Sequence, residues 1–357
     1  MGTGGVMSSV TVVGLGNIGS HAAVLLARTP EVTRLILVDR DSYEPLNLEA
    51  QDILPCDVGR PKAQVQARRL RRIRPALRVE ALEGAVENLP LGRLRAEALL
   101  SCVDSRRARQ SINEISWRLG IPWIDAGVHG QQLLARVNVY LPGEERPCVE
   151  CAWAASDYES LEQVYPCDGP VGRGPARTGS PAALGALAAA LQALECRKVL
   201  RRECDRAAVG RQLTFDTQWH KQYVASLARN PDCRFDHRTW RVEKLECRLD
   251  RFSVRQALRL GGCVELERKP FARRLVCRQC GASRRLLWLA CALDGAAGRC
   301  ADCGAAMTAA GFDLIERLSD ALPPSDLDLA LSDVGLRGGD IFRAGSGAYY
   351  EIACDHR

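Results

Sequence analysis

The chain has 357 residues, enough for about two domains, and its 46% hydrophobic and 26% charged residues exclude the disordered and fibrous classes. Its 49 basic and 43 acidic residues give a net charge of +6 and are interleaved along the chain, which argues against a nucleic-acid-binding stripe. The longest unbroken apolar stretch, 182–191, is about half as long as a membrane-spanning helix.

Predicted strands and helices alternate through the first part of the chain. A β-branched run at 10–14 ends in glycine, apolar residues with a helical period cover 18–26, and a second strand covers 35–39. Further strands are predicted over 78–82, 98–103 and 122–126, and helices over 61–73 and 105–119. This alternation predicts an α/β fold with a doubly wound, Rossmann-like parallel sheet.

The pattern changes after Gly127 and again near residue 240. The elements predicted between these points are a strand over 132–141, a Pro/Gly-rich loop over 165–181, a helix from Pro181 to about Arg202, and two short strands over 211–227. The remainder has its own cysteine pairs, a short helix after Ser253 and a helix start at Pro323. We therefore predict an N-terminal domain over 1–239 and a small C-terminal domain over 240–357.

A glycine-rich segment, Gly14-Leu15-Gly16-Asn17-Ile18-Gly19, follows the first strand and begins a helix. Glycines at 14, 16 and 19 permit a tight turn and let backbone N–H groups approach a phosphate chain. Asp39 ends the next strand, where an acid hydrogen-bonds ribose hydroxyls in such folds. These features predict a nucleotide site, for which NAD is the default ligand.

Lys62 and Asp104 favour ATP with magnesium over NAD. Lys62 begins a predicted helix and can neutralise triphosphate charge, whereas Asp104 follows a strand at the edge where the ligand crevice lies and can bind Mg²⁺. Taken singly, each also has a structural interpretation, as an exposed lysine or a helix cap. A hydride-transfer site needs neither residue, so an NAD oxidoreductase is the last alternative.

Together these motifs resemble the ThiF/MoeB adenylyltransferases and the ubiquitin-activating enzymes that share their fold. The resemblance covers about residues 9–238. It depends on these segments: 14–19, 39–51, 59–63, 102–105, Arg109 with Asn113, and the cysteines around 148–151 and 233. The contacts that it implies are those of Asp39, Asp41, Asn47, Gln51 and Lys62 with ATP, and of Asp104 with magnesium.

The resemblance also implies the reaction and the partners. The C-terminal glycine carboxylate of a small ubiquitin-like or sulfur-carrier protein would attack the α-phosphate of ATP, giving an acyl adenylate and pyrophosphate. A homo- or heterodimer is implied, and ubiquitin-activating relatives end in a small domain that docks a conjugating enzyme. The alternative substrate of the same chemistry is a peptide or a small metabolite.

Two departures from the family pattern concern arginines. The usual Asn-Leu-x-Arg-Gln run is Asn47-Leu48-Glu49-Ala50-Gln51 in this chain, and we expect no counterpart of the N-terminal arginine that reaches a partner's ATP. Arg60, or an arginine of another subunit, would substitute. A non-catalytic nucleotide-binding subunit of a heterodimer is therefore the alternative from a different functional class.

The chain has 16 cysteines, and strand-like sequence begins by Val10, which leaves no room for a secretory segment. We expect a cytoplasmic protein without a membrane partner, in which paired cysteines indicate zinc rather than disulfides. The two predicted structural sites are Cys148, Cys151, Cys233 and His237, and Cys277, Cys280, Cys300 and Cys303. The second set has the spacing of a zinc ribbon, whereas the alternative for the first is a pair of free buried cysteines.

Cys167 lies in the Pro/Gly-rich loop before the helix that begins at Pro181. In ubiquitin-activating relatives a nucleophilic cysteine in this loop attacks the acyl adenylate, and Arg173 and Arg177 lie close enough in sequence to favour a thiolate. Simpler members of the family stop at the adenylate. A thioester on Cys167 and an adenylate as the end product both stay open.

Overall fold

The computed structural model describes residues 8–162, 179–293 and 297–354. Its contacts divide the chain into two compact units, the first made of residues 1–87 and 95–239 and the second of 88–94 and 240–357. Within the described ranges, none of the helices has the length and hydropathy that a bilayer crossing requires.

The first unit is built around one eight-stranded sheet. Its strands are β1 (Ser8–Val13), β2 (Val32–Asp39), β3 (Arg78–Glu83), β4 (Ala98–Ser101), β5 (Trp123–His129), β6 (Leu134–Tyr140), β7 (Arg211–Asp216) and β8 (Lys221–Ser226). Its helices are α1 (Gly19–Ala27), α2 (Lys62–Ile73), α3 (Arg106–Leu119), α4 (Ala155–Glu162) and α5 (Ala182–Leu200).

The strand order is β3-β2-β1-β4-β5-β6-β7-β8. The first five of these strands pair in parallel, and the pairs from β5 to β8 are antiparallel. Apolar residues of α1, α2 and α5 share one core with the sheet. On α3, Trp117 contacts the Tyr140 ring, which stacks on Trp123 of β5. The predicted doubly wound α/β sheet is confirmed.

The second unit contains two smaller antiparallel-rich sheets. Its strands are β9 (Val242–Leu245), β10 (Cys263–Glu265), β11 (Phe271–Cys277), β12 (Ser283–Leu289), β13 (Met307–Thr308), β14 (Leu314–Ile315), β15 (Arg317–Ser319), β16 (Ile341–Arg343) and β17 (Tyr349–Ile352). Its helices are α6 (Val254–Leu258) and α7 (Pro324–Leu327). One sheet has the order β15-β10-β16-β17-β9, and the other joins β12, β11, β13 and β14.

Residues 88–94 belong to the second unit although the sequence places them between strands of the first. The buried ammonium of Lys269 donates to the Leu89 carbonyl at 2.6 Å, and the Gly92 amide donates to the Gly339 carbonyl at 2.8 Å. These long-range contacts have no local sequence signature, so the pattern of helices and strands did not indicate them.

Candidate active site

The carboxyl ends of three parallel strands, β1, β2 and β4, meet at one edge of the large sheet, and β5 continues beyond them. Val13 of β1 lies in register with Val38 of β2 and with Ser101 of β4, and Ser101 lies in register with Asp125 of β5. The loops that follow β1, β2 and β4 therefore begin side by side, next to β5. This edge is where ligands bind in open α/β sheets.

The glycine loop after β1 is tightly packed at two of its three glycines. Gly14 has φ +86°, and a Cβ at this position would lie 2.6 Å from the Cys102 carbonyl oxygen. A Cβ on Gly19 would overlap the Gly14 carbonyl oxygen, whereas a Cβ on Gly16 would meet only Gln51, at 3.9 Å. Packing thus requires glycine at 14 and 19, and Gly16 leaves an open side at the start of α1.

We expect Gly19→Ala to lower the free energy of unfolding by about 1–3 kcal/mol, because the new methyl group must displace the backbone of the glycine loop. Gly16→Ala is the matched control, with an expected change below about 0.5 kcal/mol since it makes only ordinary contact. Urea denaturation of the two variants measures the difference. Equal destabilisation by both substitutions would contradict this description of the loop.

Asp39 links the glycine loop to the segment after β2. Its Oδ2 accepts a hydrogen bond from the Leu15 amide at 2.6 Å, and its Oδ1 accepts one from the Asp41 amide at 2.8 Å. Burial raises the pKa of this carboxyl, against the lowering effect of the two amides. Each oxygen retains a second lone pair, so the carboxylate can still accept from ribose hydroxyls.

Lys62 and Asp41 lie together at the start of α2. The Lys62 side chain is 6% exposed, and its Nζ is 4.0 Å from Asp41 Oδ2 and 5.5 Å from the centre of the Tyr43 ring. The Lys62 amide also donates to the Asp41 carbonyl at 2.9 Å. Because 4.0 Å exceeds hydrogen-bond length, the ammonium retains donors for an additional anion.

Asn47 and Gln51 lie on a 3₁₀ turn, Pro45–Glu49, and the residues after it. Asn47 is 6% exposed, and its Oδ1 accepts from the Glu44 amide at 2.9 Å, so this side chain closes its own turn. Gln51 Oε1 is buried without a hydrogen-bond partner among the described residues. An orphaned buried acceptor fits a site that a ligand hydroxyl or amino group completes.

Asp104 follows β4 with an exposed side chain. The preceding residue, Val103, accepts a hydrogen bond from Arg109 Nη2 at 2.6 Å, and its Cγ1 lies 3.2 Å from the position of a Cβ on Gly14. Asp104 is therefore placed beside the glycine loop. An exposed carboxylate at this edge fits the oxygen ligands and retained waters of Mg²⁺.

Two further residues of this edge, Asp125 and Arg136, were missed by sequence reasoning. Asp125 is fully buried and accepts from Ser101 Oγ at 2.6 Å and from Arg109 Nε at 3.0 Å. The sequence could have indicated Asp125 as a candidate, because it is a charged residue inside an otherwise apolar strand. Arg136 gave no such signal, since a long alternating strand is expected to carry polar residues on one side.

The first predicted ligand set is brought together in the first unit. Cys148 Sγ lies 3.8 Å from both Cys151 Sγ and Cys233 Sγ, and Cys151 Sγ lies 3.6 Å from His237 Nε2. All four ligand atoms lie within 4.8 Å of one another. Ligands at about 2.3 Å in a tetrahedron are about 3.8 Å apart, so the set fits zinc.

The ligand set is attached to α3 through two residues. Asn113 Nδ2 donates at 3.2 Å to Glu150, which lies between the first two cysteines and is 4% exposed. The Trp117 ring contacts the His237 ring edge-on, with centroids 5.7 Å apart. These contacts give Asn113, one of the residues that carried the family resemblance, a structural place next to the cluster.

The second ligand set lies in the second unit. Its sulfurs approach within 3.4 Å for Cys277 and Cys303 and 3.6 Å for Cys280 and Cys300, and all four lie within 4.8 Å. Each Cys-x-x-Cys pair turns through a glycine of positive φ, and each glycine amide donates at 2.9 Å to the first cysteine's carbonyl. Two such turns facing each other fit a zinc ribbon.

The remaining predicted residue, Cys167, lies outside the described residues.

Cys102, which precedes Asp104 by two residues, has a thiol whose pKa is raised by desolvation. Its Sγ lies 3.2 Å from Gln192 Oε1 of α5. This thiol is therefore kept neutral and serves the packing between β4 and α5.

Comparison with known proteins finds a matching family model and relatives that are named as adenylyltransferases or activating enzymes. The model of the ThiF family matches residues 6–235. The sulfur carrier protein ThiS adenylyltransferase of Escherichia coli is 34% identical over 149 residues, which are 41% of this chain and 58% of that protein. Ubiquitin-like modifier-activating enzyme 5 of rice, Oryza sativa subsp. japonica, is 30% identical over 159 residues, or 40% of this chain and 37% of that enzyme.

The fold has a counterpart among solved structures. The crystal structure of E. coli MccB with ATP matches 64% of this chain and 65% of its own, with a TM-score of 0.51 and 23% identity. The chain thus spans about two fifths to three fifths of the curated relatives' length. Since the family model covers well over half of the chain, the protein belongs to the ThiF family.

Proposed function

We propose that the protein adenylylates the C-terminal glycine carboxylate of a small ubiquitin-like or sulfur-carrier protein, using ATP and Mg²⁺. The observation that carries this proposal is the buried Lys62 ammonium and the exposed Asp104 carboxylate around one glycine loop. The E. coli and rice relatives are named for acting on such carriers. Hydride transfer requires neither the Lys62 ammonium nor the Asp104 carboxylate.

Each side chain has one task in this proposal. Asp39 and Asp41 accept hydrogen bonds from the ribose side, Gln51 and Asn47 border the nucleotide, and Lys62 neutralises phosphate charge. Asp104 would hold Mg²⁺, which screens the triphosphate from the incoming carboxylate. A carboxylate oxygen then bonds to the α-phosphorus, and the bond to the bridging oxygen breaks to release pyrophosphate.

The two cysteine clusters would stabilise the fold and take no part in the chemistry. With four protein ligands each, they leave no position at which zinc could activate water. The dimeric state, the docking of a conjugating enzyme on the second unit and the cytoplasmic location stay predictions.

ATP/pyrophosphate exchange tests the proposal, because exchange requires reversible formation of the acyl adenylate. We expect exchange with a small protein from the same genome that ends in Gly-Gly, and none with the same protein lacking its last glycine. Exchange supported by a short peptide instead would identify the alternative substrate class. The proposal would be refuted if the exchange rate were the same with and without the terminal glycine, and the same with and without any acceptor.

The same incubation shows whether a thioester forms after the adenylate. The intact mass of the protein would increase by the mass of the carrier if Cys167 forms a thioester, and a thiol reductant would remove the addition. An unchanged mass together with rapid exchange would show that the reaction stops at the adenylate.

A further inference from the structure

We propose that Arg136 is the triphosphate-binding arginine that compensates for Ala50; this inference rests on the proposed function and deepens it. Arg136 lies on β6, in register with Gly127 of β5. A Cβ on Gly127 would lie 3.0 Å from Arg136 Nε, 3.2 Å from Arg136 Nη2 and 3.3 Å from Arg109 Nη2. Two guanidinium groups thus converge over Gly127, where an added side chain would crowd both of them.

The two arginines share a single carboxylate. Asp125 is fully buried, and Arg109 Nε approaches its oxygens at 3.0 and 3.2 Å. Arg136 Nη1 is 3.6 Å from Asp125 Oδ2, beyond hydrogen-bond length, while Ser101 and Asn138 also donate to this carboxylate. Among the residues that the structure describes, one carboxylate faces two guanidinium groups in this cluster, which leaves a net positive charge.

Continuous contacts connect this positive charge to the nucleotide loop. Arg109 Nη2 donates to the Val103 carbonyl at 2.6 Å, Val103 packs against Gly14, and Asp104 is the next residue. The Arg109 side chain is only 11% exposed, whereas that of Arg136 is 35% exposed. Arg109 therefore orients the pair, and Arg136 is the member that a ligand can reach.

The charge of the ligand explains the need for this residue. A triphosphate brings more negative charge than Mg²⁺ and Lys62 together supply, and part of the Lys62 charge is already opposed by Asp41 at 4.0 Å. The planar guanidinium fork is suited to phosphate oxygens. The attacking carboxylate is also an anion that Arg136 could bind. Measuring both the ATP affinity and the exchange rate of Arg136 variants distinguishes binding of the triphosphate from binding of this carboxylate.

Calorimetric titration of the intact chain with ATP and Mg²⁺ tests the inference in the unmodified protein and three variants. We expect Arg136→Gln to weaken ATP binding about tenfold or more, and Arg136→Lys to weaken it less because the charge remains. Arg34→Gln is the matched control, since Arg34 is 42% exposed, lies on β2 and forms an ion pair, 2.8 Å from Glu80. It should bind ATP like the unmodified chain.

Each outcome has one meaning. ATP affinity of folded Arg136→Gln within twofold of the unmodified chain overturns the inference, and loss of exchange without loss of ATP affinity shows that Arg136 binds the acceptor carboxylate instead. If Arg136→Gln does not fold, Arg136→Lys decides, with unchanged ATP affinity as the overturning result. Absence of ATP binding by the unmodified chain is a failure of the proposed function itself.

Discussion

Replacing Asp104 with asparagine will lower ATP/pyrophosphate exchange by about a hundredfold or more, because the amide no longer supplies the anionic oxygen that Mg²⁺ prefers. The side chain is exposed, so the melting temperature should stay within about 2 °C of that of the unmodified protein. Exchange measured at saturating ATP, together with thermal unfolding, separates loss of chemistry from loss of structure.

Lys62→Met provides an independent second variant, because it removes the ammonium and keeps most of the length of the buried side chain. Asp205→Asn, at an exposed turn after α5, is the matched control and should retain full exchange. If Asp104→Asn and Lys62→Met both keep more than half of the exchange rate, the charge pair is not the site of the reaction.

Cys280→Ser will unfold the small sheet of the second unit and release one zinc ion. The apolar core beside this cluster contains five buried residues, two of them zinc-cluster cysteines, so metal binding must supply most of its stability. Structural zinc contributes about 10–16 kcal/mol in comparable small domains. Elemental analysis should give two zinc ions for the unmodified chain and one for the variant.

Hydrogen exchange locates this effect. Peptides from 271–289 and 300–308 should lose protection, whereas peptides from the large sheet of the first unit should not change. Cys204→Ser is the control, since Cys204 is exposed and lies outside both clusters. If Cys280→Ser kept two zinc ions and full protection, the assignment of Cys280 to a structural zinc ribbon would be wrong.

The elements with strong local signals were predicted from the sequence. The helix expected over 105–119 is observed as α3, because Ser105 Oγ accepts from the Ala108 amide at 3.1 Å and Gly120 ends the helix with φ +67°. The spacing of the cysteine pairs likewise identified the second ligand set, and one cysteine pair with Cys233 and His237 gave the first. In each case the residues that determine the structure are close in sequence or repeat a known spacing.

The second unit was predicted only in part. Its helices after Ser253 and Pro323 are present, but most of its strands have two to four residues. Alternation of apolar and polar residues cannot be recognised over so few positions. The parallel pairing of β9 with β17 also joins segments about a hundred residues apart, which no local pattern encodes.

Sequence patterns pointed to candidate residues on the nucleotide side of the site but not on the β5–β6 side. Asp39 ends a strand, Asp104 follows one and Lys62 begins a helix, and such positions point to the ligand edge. Arg136 reaches that edge only because β6 runs antiparallel to β5 and places it over Gly127. Its role depends on tertiary pairing rather than on local sequence.

Calorimetric titration of the intact chain with ATP, with and without Mg²⁺ and in parallel with NAD⁺, examines the nucleotide site itself. Binding of ATP that saturates at one site per chain and weakens strongly without Mg²⁺ is the predicted result. Binding of NAD⁺ with no heat from ATP would contradict the assignment of the Lys62 and Asp104 charges to a triphosphate.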